Sequence, residues 1–168
     1  EITKFGNILL EALDTFSPDE IRKHYSEPLY KMSKSSDQNL MRVIHYPPLR
    51  ESDHPDEIRA AAHTDINLIT LLISGSQPGL QVMDKNKNWV DIKSKKGQIV
   101  INTGDMLKEC SNGYFPSTVH RVINPEVKKN VSRFSIPLFF HPRGDVVLSK
   151  KYTADEYLFK RLKEIGLK

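Results

Sequence analysis

The chain has 168 residues, 38% hydrophobic and 27% charged, a length that fits one folded domain. No apolar run approaches the roughly 20 residues that a membrane helix needs, which excludes a helical membrane span from the sequence. The formal net charge is +4, but the lysines are scattered through turns, which favours a solvated surface over a nucleic-acid site.

The cysteine content restricts both the compartment and the chemistry. Cys110 is the only cysteine, against six histidines, so an internal disulfide and a thiolate metal cluster are both excluded. Any metal site must therefore use nitrogen and oxygen ligands. The cysteine count fits a reducing compartment, and the first residues do not resemble a secretory leader. We expect a cytoplasmic location.

Two regions of the sequence predict helices. Apolar residues spaced by three and four predict a helix over residues 2–16, and a second helix is expected to follow, so that helices occupy about residues 1–34. Ser17 is expected to cap the second helix, in a capping box with Glu20. At the other end a helix over about 153–166 is expected, with Thr153 and Glu156 forming a capping box.

The middle of the chain, from about residue 40 to 148, predicts β-structure. Short runs rich in β-branched and aromatic residues alternate there with turns. The runs are LMRVIHY, NLITLLI, LQVM, WVDI, QIVIN, STVHRVI, SRFSIPLFF and DVVL. Their close spacing favours an antiparallel sandwich over alternating βαβ units. We therefore predict a single, mainly β domain with flanking helices, its core a double-stranded β-helix, the cupin-like jelly roll.

A candidate metal site involves His63, Asp65 and His120. Residues two apart on an extended segment point to the same face, about 6.5 Å apart, so His63 and Asp65 can share one ion. His120, on a later strand, can complete the site. Two imidazoles and one carboxylate suit Fe(II) and leave coordination positions open for substrate and oxygen. Taken alone, the His-x-Asp pair is more often a chance occurrence, and His120 a core histidine.

A candidate anion site lies on the strand that begins at Arg133. Alternation places Arg133 and Ser135 on one face, where a guanidinium and a hydroxyl could together hold a carboxylate. Tyr46 is a candidate third donor from a neighbouring strand. The alternatives are a surface ion pair for Arg133 and ordinary core packing for Tyr46.

Taken together, these features resemble the isopenicillin N synthase-like family, which includes plant-type 2-oxoglutarate dioxygenases. The resemblance extends over nearly the whole chain, in order and spacing. It is carried by HYPP at 45–48, HTD at 63–65, LITLL at 68–72, GLQV at 79–82, Trp89, NTGD at 102–105, SNG at 111–113, STVHRV at 117–122, RFSIPLFFHP at 133–142 and the YTADEYL helix.

The resemblance implies a role for each candidate residue. His63, Asp65 and His120 match the family's iron ligands, Arg133 and Ser135 match its RxS pair, and Tyr46 matches a tyrosine of its NYYP-type motif. The implied activity is an Fe(II)- and 2-oxoglutarate-dependent oxidation of a small organic substrate by O2, giving hydroxylation, desaturation or ring closure. An oxidase that uses the RxS pair for its substrate, without 2-oxoglutarate, and a non-catalytic cupin-like binding module are the alternatives.

The sequence also departs from the family pattern. Ile44 and His45 replace an asparagine and a tyrosine found in many plant members, and Asn67 replaces a glycine, with an expected effect on pocket shape. Family members carry a long N-terminal region that this chain lacks. We therefore expect a truncated chain with complete metal ligands and weak or lost oxygenase activity. The oligomeric state is not predicted by the sequence.

Overall fold

The computed structural model describes residues 1–50, 58–73, 75–93, 95, 97–126 and 130–167. The helices are α1 (Ile2–Phe16), α2 (Asp19–Arg22), α3 (Leu29–Met32), α4 (Asp105–Cys110) and α5 (Ala154–Glu164). The strands are β1 (Leu40–Met41), β2 (Ile44–Tyr46), β3 (Ala60–His63), β4 (Ile69–Ile73), β5 (Leu80–Met83), β6 (Trp89–Asp91), β7 (Ile99–Thr103), β8 (His120–Val122) and β9 (Arg133–Phe140). Within these residues, no helix combines the length and apolarity needed to cross a membrane.

The strands form two antiparallel sheets, in agreement with the predicted double-stranded β-helix. The first sheet has the order β1-β9-β4-β7, with β2 also paired to β9. The second sheet has the order β3-β8-β5-β6. Except for β5 and β6, paired strands are not consecutive in the chain, which is how a jelly roll brings distant side chains to one cavity.

The helices cover the outer face of the first sheet and form the main core. Leu10 of α1, Leu29 of α3 and Leu71 of β4 are fully buried in one apolar cluster, together with Phe140 of β9. At Gly6 a Cβ atom would lie only 2.6 Å from the Phe140 ring, so α1 can approach the sheet this closely because that position is glycine. Burial of this face supplies most of the apolar stabilisation.

Strand β9 alternates as predicted. Arg133 and Ser135 face the interior between the sheets, together with Pro137 and Phe139, while Leu138 and Phe140 pack into the helix-covered core. A one-residue shift in register would exchange these two sets of side chains, so the two-sided burial fixes the register.

The predicted second helix is wrong in extent and in capping. Residues 17–34 contain two short helices, α2 and α3, rather than one long helix. Pro28 is the N-cap of α3, and a proline disfavours helical backbone in the residue before it, which separates the two helices. The Ser17 hydroxyl donates to Leu13 O at 2.6 Å and does not cap α2.

Two other local expectations need correction. The DVVL run forms only an isolated bridge between Val147 and Thr153, because its backbone groups bond to the start of α5: Ala154 N–H donates to Val146 O at 2.8 Å. The LMRVIHY run is divided into β1 and β2. The capping box of Thr153 and Glu156 at the start of α5 is confirmed.

Candidate metal centre

Three predicted ligands meet in the cavity between the sheets. His63 ends β3, and His120 begins β8 directly opposite it. One donor atom from each of His63, Asp65 and His120 lies within 4.8 Å of the other two. Asp65 Oδ1 is 4.0 Å from His63 Nε2 and 3.8 Å from His120 Nε2. These atoms are close enough to bind a single ion.

Backbone contacts place a proton on Nδ1 of both imidazoles. His63 Nδ1 lies 2.7 Å from Ala61 O, and His120 Nδ1 lies 3.0 Å from Thr118 O. Because a carbonyl oxygen can only accept a hydrogen bond, each Nδ1 must carry a proton. Each Nε2 of a neutral ring is then left with a lone pair directed toward Asp65, the arrangement that a metal-binding histidine requires.

Two donors orient the Asp65 carboxylate, which is 6% exposed. Thr70 Oγ1 donates to Asp65 Oδ2 at 2.6 Å, and Asn102 Nδ2 donates to the same oxygen at 2.8 Å. The Thr70 hydroxyl itself accepts from Asn67 Nδ2 at 2.9 Å, so its proton is directed at Asp65. With Oδ2 engaged by both donors, Oδ1 faces the histidines.

Sequence reasoning missed these supporting residues. In the sequence, Asn102 is only part of the NTGD motif and Thr70 only one residue of an apolar strand, although a polar residue inside a buried run is itself a signal. Asn67 is fully buried behind Thr70 and does not itself line the cavity, so any effect on the shape of the pocket must pass through Thr70. Its amide belongs to the hydrogen-bond chain that ends on Asp65.

The predicted anion site lies in the same cavity, which has a volume of about 260 Å³. Arg133 and Ser135 enter it from β9 and Tyr46 enters it from β2, where Tyr46 is the cross-strand partner of Arg133. The Arg133 guanidinium carbon lies 5.5 Å from the centre of the Tyr46 ring. All six predicted site residues therefore line one cavity.

The Arg133 guanidinium lacks a protein anion within the described part of the chain. The residue is 2% exposed, its Nε donates to Gln77 O at 3.1 Å, and its Nη1 is buried without a hydrogen-bond partner among the described residues. Burial lowers the pKa of Arg133. A buried, unpaired cation is costly, which favours an anionic ligand at this position.

Tyr46 stays protonated beside this cation. Burial raises its pKa above the usual value, an effect that the nearby Arg133 partly offsets. The phenol can therefore donate a hydrogen bond at neutral pH. His45, next to it in the chain, points elsewhere: its ring stacks on Phe134 at 4.6 Å.

The two histidines of the cavity differ in their exposure to solvent. The His63 side chain is 45% exposed, whereas the His120 side chain is 13% exposed. The site is thus open on the β3 side, and the apolar walls around it come from residues such as Leu80, Val82 and Phe139.

The chain is similar in sequence to curated proteins that are named as oxidoreductases and dioxygenases. A 2-oxoglutarate-Fe(II) type oxidoreductase from Aspergillus fumigatus is 36% identical over 137 residues, which are 81% of this chain and 40% of that protein. Gibberellin 3-beta-dioxygenase 2 from Arabidopsis thaliana is 37% identical over 112 residues, 67% of this chain and 31% of that protein. The matched part of the chain thus spans less than half the length of these curated relatives.

Solved structures share the fold. A candidate oxygenase from Shewanella oneidensis is 52% identical with a TM-score of 0.90, covering 99% of this chain and 62% of that one. A full-length Neurospora crassa protein, solved in complex with alpha-KG and thymine, is 27% identical with a TM-score of 0.75, covering 98% of this chain and 55% of that one.

The sequence profile of the 2OG-Fe(II) oxygenase superfamily matches residues 38–142. This stretch is more than half of the chain, and it contains all six residues predicted from the sequence to form the site. The chain belongs to the 2OG-Fe(II) oxygenase superfamily.

Proposed function

We propose that this chain forms the metal- and 2-oxoglutarate-binding part of an oxygenase that oxidises a small organic substrate. The observation that carries the proposal is the position of Arg133. Its buried guanidinium shares one cavity with the two histidines and Asp65, and no carboxylate among the described residues pairs with it. A small dicarboxylate could reach both the cation and the metal.

The metal ligands fit Fe(II). Neutral Nε2 atoms and one carboxylate oxygen form the two-histidine, one-carboxylate set typical of non-haem Fe(II) oxygenases, which leaves coordination positions for other ligands. Fe(II), when bound, supplies the redox chemistry with O2 that no side chain of the cavity can provide. His63, Asp65 and His120 would hold it.

The remaining residues of the cavity bind and orient. Arg133 would form two parallel hydrogen bonds with the distal carboxylate of 2-oxoglutarate, and Ser135 and Tyr46 would add hydroxyl donors. Thr70 and Asn102 keep one Asp65 oxygen occupied, so that the other faces the two histidines and would be free to bind the metal. The apolar walls exclude water from the buried end of the cavity, where Arg133 is 2% exposed, and this strengthens the charged interaction there.

An anaerobic titration tests the proposal. Wild-type protein with Fe(II) and 2-oxoglutarate should show the visible charge-transfer band of a chelated keto acid. Asp65→Ala should abolish the band and weaken Fe(II) binding by more than about 100-fold. This loss exceeds the usual effect of removing a residue that only hydrogen-bonds to a metal ligand. Unchanged iron affinity in this variant would contradict the ligand assignment.

Arginine variants separate the two halves of the site. Arg133→Gln should retain Fe(II) binding and lose the 2-oxoglutarate band. Arg121→Gln is the matched control, because Arg121 lies on the outer face of β8, where its guanidinium carbon is 4.0 Å from the centre of the Trp89 ring. Equal effects of the two variants would argue against an anion site at Arg133.

The same titration distinguishes the alternatives. Iron binding without the keto-acid band would favour an oxidase of the isopenicillin N synthase type, in which Arg133 and Ser135 bind a substrate carboxylate. When O2 is then admitted to the titrated sample, absence of succinate formation and oxygen consumption with iron bound would favour a non-catalytic binding module. The cytoplasmic location stays a prediction from the cysteine content.

A further inference from the structure

The start of α4 packs directly against the loop that carries Asp65. Asp105 N–H donates to Asp65 O at 2.8 Å, and Met106 N–H donates to Ile66 O at 3.0 Å. Gly104 permits this approach, because a Cβ atom there would lie 2.2 Å from Asn67 O. The backbone of the metal-binding loop is therefore held by the first residues of a helix that contributes no predicted ligand.

The Asp105 side chain adds a second connection to the same loop. Thr64, which lies between His63 and Asp65, donates from Oγ1 to Asp105 Oδ2 at 3.1 Å. Asp105 is only 8% exposed, so its negative charge needs a nearby cation or several donors.

The C-terminal helix α5 supplies that cation. Arg161 Nε lies 3.3 Å from Asp105 Oδ2, the same oxygen that accepts from Thr64. Arg161 Nη1 also donates to Glu164 Oε2 within α5 at 2.5 Å, a second ion pair that does not involve the metal-binding loop. A chain of polar contacts thus runs from α5 through Asp105 to the residue between two metal ligands.

We infer that Asp105 and Arg161 are positioning residues, through which the C-terminal helix holds the metal-binding loop in its ligating conformation. The inference rests on the proposed metal site but concerns residues outside the cavity. Neither side chain contacts the ligand atoms, so their effect must pass through Thr64 and the backbone of Asp65. Loss of the α5 contact should therefore weaken metal binding without removing a ligand.

The test is anaerobic titration of the full chain with Fe(II), and with Co(II) as a spectroscopic probe. Arg161→Gln should weaken metal binding by about 10-fold, the lower end of the range for outer-shell partners, and change the visible Co(II) spectrum. Arg161→Lys, which keeps the charge, should recover part of the affinity. Glu164→Gln is the matched control: it removes the other ion pair of Arg161 and should leave metal affinity unchanged.

Asp105→Asn supplies an independent check. If both residues act through one contact, the double variant Asp105→Asn/Arg161→Gln should bind metal no more weakly than the weaker single variant. Thermal unfolding of each metal-free variant shows whether it is folded. A role in stability alone would lower the melting temperature and leave the Co(II) spectrum unchanged, and that result would overturn the inference.

The outcomes also separate the inference from the proposed function. Wild-type protein that binds metal with the same affinity as Arg161→Gln would overturn the inference and leave the metal site intact. Wild-type protein that binds neither ion would overturn both. A simple additive loss in the double variant would show that Asp105 and Arg161 act separately, and would also overturn it.

Discussion

The two sheets differ in how they are supported, although both line the metal cavity. The first sheet is backed by helices, and Ile69, Leu71 and Phe140 in it are fully buried. The second sheet has no such cover among the described residues, and its only buried apolar side chains, Leu80 and Val122, belong to a small separate cluster. Its strands β3 and β6 are largely exposed.

The two sheets contribute different kinds of residue to the site. The helix-backed sheet provides the residues that orient other groups: Thr70 and Asn102 for the carboxylate, and Arg133 for the predicted anion. The second sheet provides both candidate imidazole ligands, His63 and His120. The residues that orient the carboxylate and the predicted anion thus lie on the helix-backed sheet, and the open side of the cavity lies at His63.

Stability should depend mainly on the helix-backed sheet, and a core truncation there would have the largest effect. Phe140→Ala removes a fully buried ring that packs against α1, and should lower the free energy of unfolding by about 3–5 kcal/mol. Val90→Ala on β6, where Val90 is 43% exposed, should cost less than about 0.5 kcal/mol. Urea unfolding measures both, and similar losses would contradict the proposed asymmetry.

Metal affinity should depend on the orienting residues of the same sheet. Thr70→Val removes the donor to Asp65 Oδ2 while keeping the side-chain shape, and should weaken Fe(II) binding by about 10- to 100-fold. Thr70→Ser keeps the hydroxyl and is the matched control, expected to bind nearly as well as wild type. Equal affinity of Thr70→Val and wild type would show that Asn102 alone orients the carboxylate.

The smallest effect concerns Cys110, which probes the packing of the helix-backed core. Burial raises the pKa of its thiol to about 12, so almost no thiolate exists at pH 8. We expect no reaction with a thiol reagent in the native state and complete reaction in denaturant, followed by absorbance. Rapid modification of the folded protein would show that this core opens readily.

The sequence predicted the parts of the structure that local spacing encodes. His63 and Asp65 are two residues apart, Arg133 and Ser135 likewise, and an extended strand places such residues on one face regardless of the fold. The capping box at Thr153 is equally local. The prediction of one long second helix was wrong because Pro28 interrupts the helical backbone that begins after Ser17.

By itself, then, the sequence predicted the candidate ligands, and it determined the alternation of β9 and the two-sheet class of the fold. Only the tertiary structure decided what holds the ligands in place. Asn102 reaches Asp65 across 37 positions in the chain, and Arg161 reaches Asp105 across a longer separation still. Such contacts depend on sheet register and helix docking, which the burial of apolar faces fixes and no short motif records.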